Sequence, residues 1–288
     1  MRCRRGHRQS GDDVHFPSCQ PAFAMNRDPV HFRKHLSAVD TIFFDLDGTL
    51  YLGHKPIAGA ARAVGRLRAL GKCVYFLSNN SSKSKRQYVE RLRAFDIPAT
   101  DDEVILSTDS LVAYLRAQRI GRVHVLGTRG LCDAVAHAGI AVVDRNPEYV
   151  VIGYDTELTY AKLAAACRHI NAGVPMLATH CDLFCPSEDG PLPDVGSFLE
   201  MLKAATGKSP EQIFGKPTPS MLAAIQARAP VDPARALMVG DRLYTDMRFA
   251  RNIGAKSLLV LSGETRMDQL SATDFSPDFV LDSVADMV

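Results

Sequence analysis

The chain has 288 residues, of which 46% are hydrophobic and 23% charged, enough for one large domain or for two that share a cleft. A formal net charge of +2 is too small to indicate a nucleic-acid polymer as partner, and no apolar run approaches the roughly 20 residues that span a bilayer. Seven irregularly spaced cysteines do not form the pattern of a secreted disulfide framework. We expect a cytoplasmic protein with two domains.

The first 36 residues are basic, polar and aperiodic, and they contain no apolar core of a signal peptide. We predict that residues 1–36 lie outside the fold, as a disordered or non-native extension. Met25 is a candidate for the true start, because the segment before it resembles translated upstream sequence. A targeting peptide is the alternative, and Asp12 and Asp13 count against it.

From Asp40 onward, apolar runs rich in β-forming residues alternate with amphipathic stretches at helical spacing. This alternation is typical of βαβ units around a parallel sheet. The predicted strands cover residues 41–44, 73–77, 236–239 and 257–261. The predicted helices beside them cover residues 58–70, 83–95 and 243–253.

The middle of the chain has an alternation of its own, with predicted strands and helices at residues 123–126, 129–138, 149–152, 160–171 and 176–178. We predict an inserted α/β domain over residues 120–206, which divides the first domain into residues 37–119 and 207–288. Residues 179–196 are rich in proline and glycine, so we expect an irregular loop there. Loops on rigid scaffolds often carry recognition.

Two aspartates follow the first predicted strand, in the run Asp45-Leu46-Asp47-Gly48-Thr49. A buried strand has no packing reason to end in two carboxylates separated by one residue. At the carboxyl end of a parallel strand, where such folds bind ligands, Asp45 can present its carboxylate, and Gly48 lets the chain turn. Taken alone, the run could also be a turn with an aspartate cap.

A second acidic run, Asp241 to Asp246, follows the predicted strand at residues 236–239. These aspartates could merely cap the helix that begins there. Like charges gathered at one sheet edge repel, however, and a hard divalent cation with oxygen ligands is the simplest compensation. Mg²⁺ fits this role best.

Two further polar runs lie between these acidic runs. Ser78, Asn79 and Asn80 follow the strand at residues 73–77, and Lys216 shortly precedes a predicted helix that begins at Ser220. A hydroxyl, turn amides and a helix N-terminus suit phosphoryl oxygens, and a lysine adds positive charge. Each run alone is common in polar loops. Their order and context together indicate a site that binds a phosphoryl group.

These runs resemble, in the same order, the four motifs of the haloacid dehalogenase (HAD) superfamily. The residues that carry the resemblance are Asp45-Leu46-Asp47-Gly48-Thr49, Ser78, Lys216, and Gly240-Asp241 with Asp246. Features typical of the NagD-like, or para-nitrophenylphosphatase-like, subgroup are an insert between the second and third motifs, Leu50-Tyr51-Leu52-Gly53, Ser78-Asn79-Asn80 and Gly215-Lys216-Pro217. The resemblance covers about residues 40–261. It implies an α/β fold, with a Rossmann-like parallel-sheet core and an inserted α/β cap domain of the C2 type.

The resemblance also implies roles for the acidic residues. Asp45 would be the nucleophile that forms a phosphoaspartate, and Asp47 would protonate the leaving oxygen and then activate water. Mg²⁺ would be held by the carboxylates of Asp45 and Asp241 and by the backbone carbonyl of Asp47. Asp246 would serve its outer coordination shell.

The phosphate-binding residues follow from the same resemblance. Ser78, Lys216 and the backbone amide of Asn79 would spread the charge of the transferred phosphoryl group, with Asn80 beside them. In the cap, relatives commonly read Ala-Thr-Asn and then Asp, whereas this chain has His180 in place of the asparagine.

His180 and Asp182 are the candidate substrate-binding residues of the cap, although a lone histidine is more often structural. His180, Cys181 and Cys185 could instead supply soft metal ligands. A second Cys/His pair at the spacing of a zinc site is missing, which counts against zinc.

The sequence therefore predicts a Mg²⁺-dependent phosphatase acting on a small phosphomonoester. The substrate would be a nucleotide monophosphate, phosphoglycolate, pyridoxal phosphate or a sugar phosphate, with no nucleic-acid polymer or membrane as partner, and a homodimer through the cap stays open. One alternative is a phosphotransferase or mutase that uses the same aspartyl chemistry, against which only the cap type weighs. Another is a catalytically silent HAD-fold binding module, which the intact motifs disfavour.

Overall fold

The computed structural model describes residues 26–185, 190–270 and 276–288. The expectations about residues 1–25 fall outside these ranges. In chain order the strands are β1 (Thr41–Asp45), β2 (Tyr51–Leu52), β3 (Lys55–Pro56), β4 (Cys73–Ser78), β5 (Val104–Leu106), β6 (Arg122–Leu126), β7 (Ala141–Val142), β8 (Tyr149–Ile152), β9 (Met176–Ala178), β10 (Phe184–Cys185), β11 (Leu192–Pro193), β12 (Gln212–Ile213), β13 (Ala236–Gly240), β14 (Lys256–Val260) and β15 (Phe279–Leu281).

Helices lie between most of these strands. In chain order the α-helices are α1 (Pro29–His35), α2 (Ala60–Ala69), α3 (Lys85–Ala94), α4 (Ser107–Ala117), α5 (Arg129–His137), α6 (Tyr160–Asn171), α7 (Val195–Thr206), α8 (Ser220–Gln226), α9 (Arg248–Ile253) and α10 (Met267–Leu270). Short 3₁₀ turns cover Leu36–Ala38, Pro233–Arg235 and Val284–Met287, and a π-helix covers Leu243–Met247. None of the helices in the described ranges has the length and apolar character needed to cross a membrane.

The larger sheet has six parallel strands in the order β15-β14-β13-β1-β4-β5. At its centre, Phe44 of β1 pairs with Val239 of β13 on one side and with Phe76 of β4 on the other. Ile42 and Phe44 belong to one apolar cluster and Phe43 to another, because alternate side chains of a strand face opposite sides of the sheet. Burying each such side chain contributes about 1.5–3 kcal/mol, which explains the unbroken apolar run of β1.

A second sheet has five parallel strands in the order β12-β9-β8-β6-β7. All of its strands lie between β5 and β13 in the chain, so it interrupts the larger sheet in sequence. β12 pairs with β9 although it lies beyond residue 206, where the sequence pattern places the end of the insertion. The predicted α/β class, with a Rossmann-like parallel core, is confirmed.

Residues 26–36 pack on the larger sheet, whereas the sequence pattern places them outside the fold. Phe32 of α1 is 1% exposed, and its ring lies 5.2 Å from that of Phe279 in β15. Asn26 forms a β-bridge with Phe279, and Asp28 caps α1 by accepting a hydrogen bond from Val30 N–H. Phe32 and Leu36 are the buried apolar residues of this segment. Two residues four apart are too few to form a recognisable helical period.

Candidate active site

Four segments that are distant in the sequence meet at the carboxyl edge of the larger sheet. They follow β1, β4, β12 and β13, and they face the loop after β9 across a cleft. The residues that line this cleft are Asp45, Asp47, Ser78, Asn79, Asn80, Asp182, Cys185, Asp194, Lys216, Arg242 and Thr245. Among the residues predicted for the site, Asp241 and Asp246 lie buried beneath the cleft, and His180 does not line it.

Three carboxylates form the acidic floor of the cleft. Asp45, Asp241 and Asp246 each offer an oxygen within 4.8 Å of the others. Asp241 and Asp246 are buried, whereas Asp45 keeps 14% of its side chain exposed. Burial, together with the charges of Asp45 and Asp246, raises the pKa of Asp241 well above its usual range. Burial likewise raises the pKa of Asp246 to about 6, against the opposing charge of Lys216.

The oxygens of Asp241 identify what this floor can bind. Asp241 Oδ2 accepts a hydrogen bond of 2.7 Å from Glu264 N–H, but Oδ1 is buried without a hydrogen-bond partner among the described residues. An orphaned carboxylate oxygen beside two further carboxylates suits a hard divalent cation with oxygen ligands. The residues present therefore fit a metal of the Mg²⁺ class.

Glycines let the backbone approach the acidic floor closely. A Cβ atom at Gly48 or Gly263 would collide with the carboxylate of Asp241, and one at Gly240 would collide with Asp246. Gly48 also has a φ of 87°, which L-residues with side chains rarely adopt. Gly263 was not singled out from the sequence, because its contact with Asp241 is long-range.

Lys216 supplies the positive charge of the floor. It is 2% exposed, and its Nζ lies 2.7 Å from Asp246 Oδ1, forms an ion pair with Asp45 and donates to Leu77 O at 3.3 Å. Burial alone would lower the pKa of this ammonium, but the charges of Asp246 and Asp45 outweigh it and raise the pKa. The ammonium therefore stays charged, as a buried cation with two paired anions should.

Asp47 combines a raised pKa with a place in the lining of the cleft. Burial and the charge of Asp45 raise the pKa of Asp47 to about 6, against the weaker opposing charges of Arg91, Lys83 and Arg242. An ordinary aspartate has a pKa near 3.9. Asp47 lines the cleft and keeps a proton at a higher pH than a typical carboxyl group.

The loop after β4 uses its side chains to hold its own shape. Ser78 Oγ accepts a hydrogen bond of 3.2 Å from Asn80 N–H, and Asn80 Oδ1 accepts hydrogen bonds from the N–H and hydroxyl of Ser82. The side chain of Asn79 pairs with the backbone of Lys216, to which it donates at 2.9 Å and from which it accepts at 2.7 Å. The side chain of Asn79 is therefore occupied by protein partners.

The predicted helix at residues 243–253 begins as a π-helix, Leu243–Met247, before α9. π-helices are rare and often occur at functional sites. In this turn Asp246 Oδ2 accepts a hydrogen bond of 3.1 Å from Arg242 N–H. The geometry directs Asp246 back toward Lys216, at the floor of the cleft.

Arg242 was not identified from the sequence, although it directly follows Asp241. Its Nη1 donates to Asp182 Oδ2 at 3.1 Å, and its Nε lies 2.9 Å from Glu264 Oε2. The Arg242 side chain is 11% exposed, so this cation is largely withdrawn from water. The sequence signal for Arg242 is a basic residue within a motif that otherwise supplies acidic residues. Its partner Asp182, however, lies on a loop that is distant in the sequence.

His180 lies behind the wall of the cleft and is not among the residues that line it. It is fully buried, and its two ring nitrogens lie 2.9 Å from Thr179 Oγ1 and 2.9 Å from Asp194 Oδ1. Thr179 Oγ1 is in turn 2.9 Å from Ser81 Oγ, on the loop after β4. Burial would lower the pKa of His180, but the charge and hydrogen bond of Asp194, together with the charge of Asp182, outweigh it and raise the pKa. The side chain is fixed by protein groups on both sides.

The cysteines near His180 do not complete a metal site. Among the residues that the structure describes, the metal-capable group around His180 contains Asp182 and Asp194 but neither Cys181 nor Cys185. Burial raises the pKa of each of these two thiols to about 11, so they are protonated at neutral pH. This arrangement does not match the soft-ligand alternative.

Comparisons with known proteins agree with this geometry. A family model for haloacid dehalogenase-like hydrolases matches residues 42–141, and one described as HAD-hydrolase-like matches residues 213–287. The chain is 33% identical over 245 residues to the 5′-nucleotidase YutF of Bacillus subtilis, which covers 85% of this chain and 95% of the relative.

Two solved structures are similar over both sheets. A 4-nitrophenylphosphatase from Thermotoga maritima has a TM-score of 0.84 and 36% identity, covering 88% of this chain and 97% of that one. A glycerol phosphate phosphatase from Mycobacterium tuberculosis, solved in complex with magnesium, has a TM-score of 0.79 and 31% identity, covering 88% and 77%.

Proposed function

Because the chain belongs to the haloacid dehalogenase superfamily, in its NagD-like or para-nitrophenylphosphatase-like branch, we propose that it hydrolyses a small phosphomonoester through a phosphoaspartate on Asp45. It is a phosphoric monoester hydrolase. The observation that carries the proposed mechanism is the difference in exposure within the acidic floor: Asp45 reaches the cleft, while Asp241 and Asp246 are buried beneath it.

The first step uses Asp45 as nucleophile and Asp47 as acid. A carboxylate oxygen of Asp45 attacks phosphorus, the bond from phosphorus to the ester oxygen breaks, and the leaving alcohol takes its proton from Asp47. The raised pKa of Asp47, about 6, supports this role because part of the population keeps the proton near neutral pH.

The second step regenerates the enzyme. Asp47, now a carboxylate, removes a proton from water, and the resulting hydroxide attacks the phosphoaspartate. Inorganic phosphate leaves and Asp45 is restored. During both steps Lys216, Ser78 and the backbone amide of Asn79 would stabilise charge on the phosphoryl oxygens, which is the main catalytic contribution in phosphoryl transfer.

The cofactor in this proposal is Mg²⁺. The carboxylates of Asp45 and Asp241 and the backbone carbonyl of Asp47 would hold it, with Asp246 in its outer coordination shell. A bound divalent cation would neutralise charge on the phosphoryl oxygens. The orphaned Oδ1 of Asp241 and the magnesium and calcium complexes of the mycobacterial relative support a divalent cation.

The second sheet, in this proposal, belongs to a C2-type cap that selects the substrate. The sequence predicts this cap over residues 120–206, and the pairing of β12 extends it to residue 213. The core domain then comprises residues 37–119 and residues 214–288. Asp182, Cys185 and Asp194 line the cleft from the cap side and would face the leaving group.

The test is hydrolysis of a panel of phosphomonoesters with Mg²⁺ and with a chelator. The panel contains nucleotide monophosphates, phosphoglycolate, pyridoxal phosphate, glycerol phosphate, sugar phosphates and 4-nitrophenyl phosphate, each compared by kcat/KM. Mg²⁺-dependent release of phosphate from at least one ester is expected. No hydrolysis of any ester, or equal hydrolysis in the chelator, would contradict the proposal.

A further inference from the structure

The side chain of Asn79 joins its own loop to two other segments. Its Nδ2 donates to Lys216 O at 2.9 Å and to Asp182 Oδ1 at 3.0 Å, while its Oδ1 accepts from Lys216 N–H at 2.7 Å. Asn79 is 6% exposed, so these hydrogen bonds are shielded from water. One planar amide therefore joins the loop after β4, the segment after β12 and the loop after β9.

The bonds to Lys216 constrain its backbone in both directions. Asn79 occupies both the N–H and the C=O of Lys216, as a neighbouring strand would. The close approach depends on Gly215, where a Cβ would lie 2.6 Å from Asn79 Oδ1. The orientation of this amide thus helps to determine where the Lys216 ammonium lies between Asp45 and Asp246.

Asp182 depends on the core for both of its carboxylate oxygens. Oδ1 accepts from Asn79 and Oδ2 accepts from Arg242, and the residue is 4% exposed. A buried carboxylate is stable only when its partners are in place, because an unpaired buried charge is costly. Asp182 can therefore stay buried at this position only while the loop after β9 is docked against Asn79 and Arg242.

We propose that Asn79 is a positioning residue that couples docking of the Asp182 loop to the placement of Lys216. With the loop docked, the Nδ2 group is shared between Asp182 and Lys216 O, and the amide plane is fixed. With the loop undocked, the amide loses one of its hydrogen bonds and can rotate, so Lys216 is held less firmly. The inference rests on the proposed function of Lys216 for its catalytic consequence.

The kinetic test is a double-mutant cycle on the full chain with Mg²⁺ and 4-nitrophenyl phosphate. Asn79→Ala is expected to lower kcat about 10- to 100-fold, because a small misplacement of a catalytic group has this cost, with a smaller change in KM. Asp182→Ala should also lower kcat, but should have little further effect in the Asn79→Ala background. Additive losses, or an unchanged kcat for Asn79→Ala, would overturn the coupling.

A second measurement does not depend on activity. The Lys216 N–H donates a hydrogen bond to Asn79 Oδ1. The rate of hydrogen exchange at residues 213–218 therefore reports how firmly the Asn79 side chain holds this backbone. Asp182→Ala removes the carboxylate that accepts a hydrogen bond from Asn79 Nδ2, and it should speed this exchange about tenfold. Unchanged exchange would overturn the proposal even if the enzyme were inactive, whereas an inactive wild type with faster exchange in the variant would contradict only the proposed function.

The control for both measurements is Asn171→Ala. Asn171 is the exposed last residue of α6 and lies outside the cleft. It should leave kcat and the exchange at residues 213–218 unchanged. Melting temperatures of all variants are measured, and kinetics are compared at a temperature where each is folded. If Asn171→Ala changes either readout as much as Asn79→Ala does, the assignment to Asn79 is overturned.

Discussion

Lys216 Nζ lies 2.7 Å from Asp246 Oδ1, and both side chains are withdrawn from water. This lysine is also paired with Asp45, so one cation balances part of the charge of a three-carboxylate floor. The two residues are distant in the sequence, because Lys216 precedes α8 whereas Asp246 lies in the π-helix after β13. The pair therefore links the stability of the fold to the chemistry of the site.

Lys216→Met should destabilise the metal-free protein by about 3 kcal/mol, because removing one partner of a buried pair leaves uncompensated charge. Added Mg²⁺ should raise the melting temperature of this variant more than that of the wild type, since the carboxylates have then lost the ammonium group that pairs with them. Urea unfolding and thermal melts with and without metal measure both effects. The exposed Lys208→Met is the control. Equal metal responses in variant and wild type would contradict the assignment.

Asp47→Asn should lower kcat/KM by about 10²-fold or more, because the leaving oxygen loses its proton donor. The loss should be larger for an alkyl phosphate than for 4-nitrophenyl phosphate, since an alkoxide is a poorer leaving group than nitrophenolate. Mg²⁺ affinity measured by calorimetry should stay near that of the wild type, because only the backbone carbonyl of Asp47 is proposed to bind metal. Equal losses for both esters would argue against a proton-donating role.

His180 predicts a pH-dependent stability. Its pKa in the folded state is raised, so its stabilising contribution is fully present below the unfolded pKa of about 6.5 and is lost as pH rises through the folded pKa. The unfolding free energy of the wild type should therefore fall over that window relative to His180→Gln. Urea unfolding at a series of pH values tests this, with the exposed His137→Gln as control. Parallel curves for wild type and His180→Gln would count against the Asp194 pair.

Phe32→Ala should cost about 3–5 kcal/mol of stability, because Phe32 is buried against the larger sheet. Val30, which is 54% exposed on the same helix, provides the control. Val30→Ala should change the unfolding free energy by less than about 0.5 kcal/mol. Similar small effects from both variants would show that α1 does not dock on the fold in solution.

The residues predictable from the sequence are those whose signal is local. Asp45, Ser78 and Asp241 each stand at or directly after the end of an apolar strand, and the carboxyl ends of parallel strands meet at one edge. The same rule gives the α/β class, because unbroken apolar runs alternate with amphipathic helices. Lys216 has a weaker signal and became informative only through its order among the other motifs.

The residues that could not be predicted depend on contacts between distant segments. Arg242 has no local feature that names Asp182 as its partner, and Asp194 is seen beside His180 only once the loop after β9 has folded back. The histidine reads as a candidate ligand in sequence because its burial is not visible there. The short helix α1 was missed because Phe32 and its neighbour Leu36 make too short a pattern.

The central claim is that Asp45 carries the phosphoryl group. The most direct measurement compares phosphoenzyme formation in the wild type and in Asp45→Asn. Wild type and variant are mixed with a substrate ester and Mg²⁺, quenched in acid and analysed by intact-protein mass spectrometry. The account predicts a phosphorylated wild type that maps to Asp45, and neither phosphoenzyme nor turnover in the variant, because an amide is too poor a nucleophile. Turnover near the wild-type rate in Asp45→Asn, or a phosphoryl group on another residue of the wild type, would contradict it.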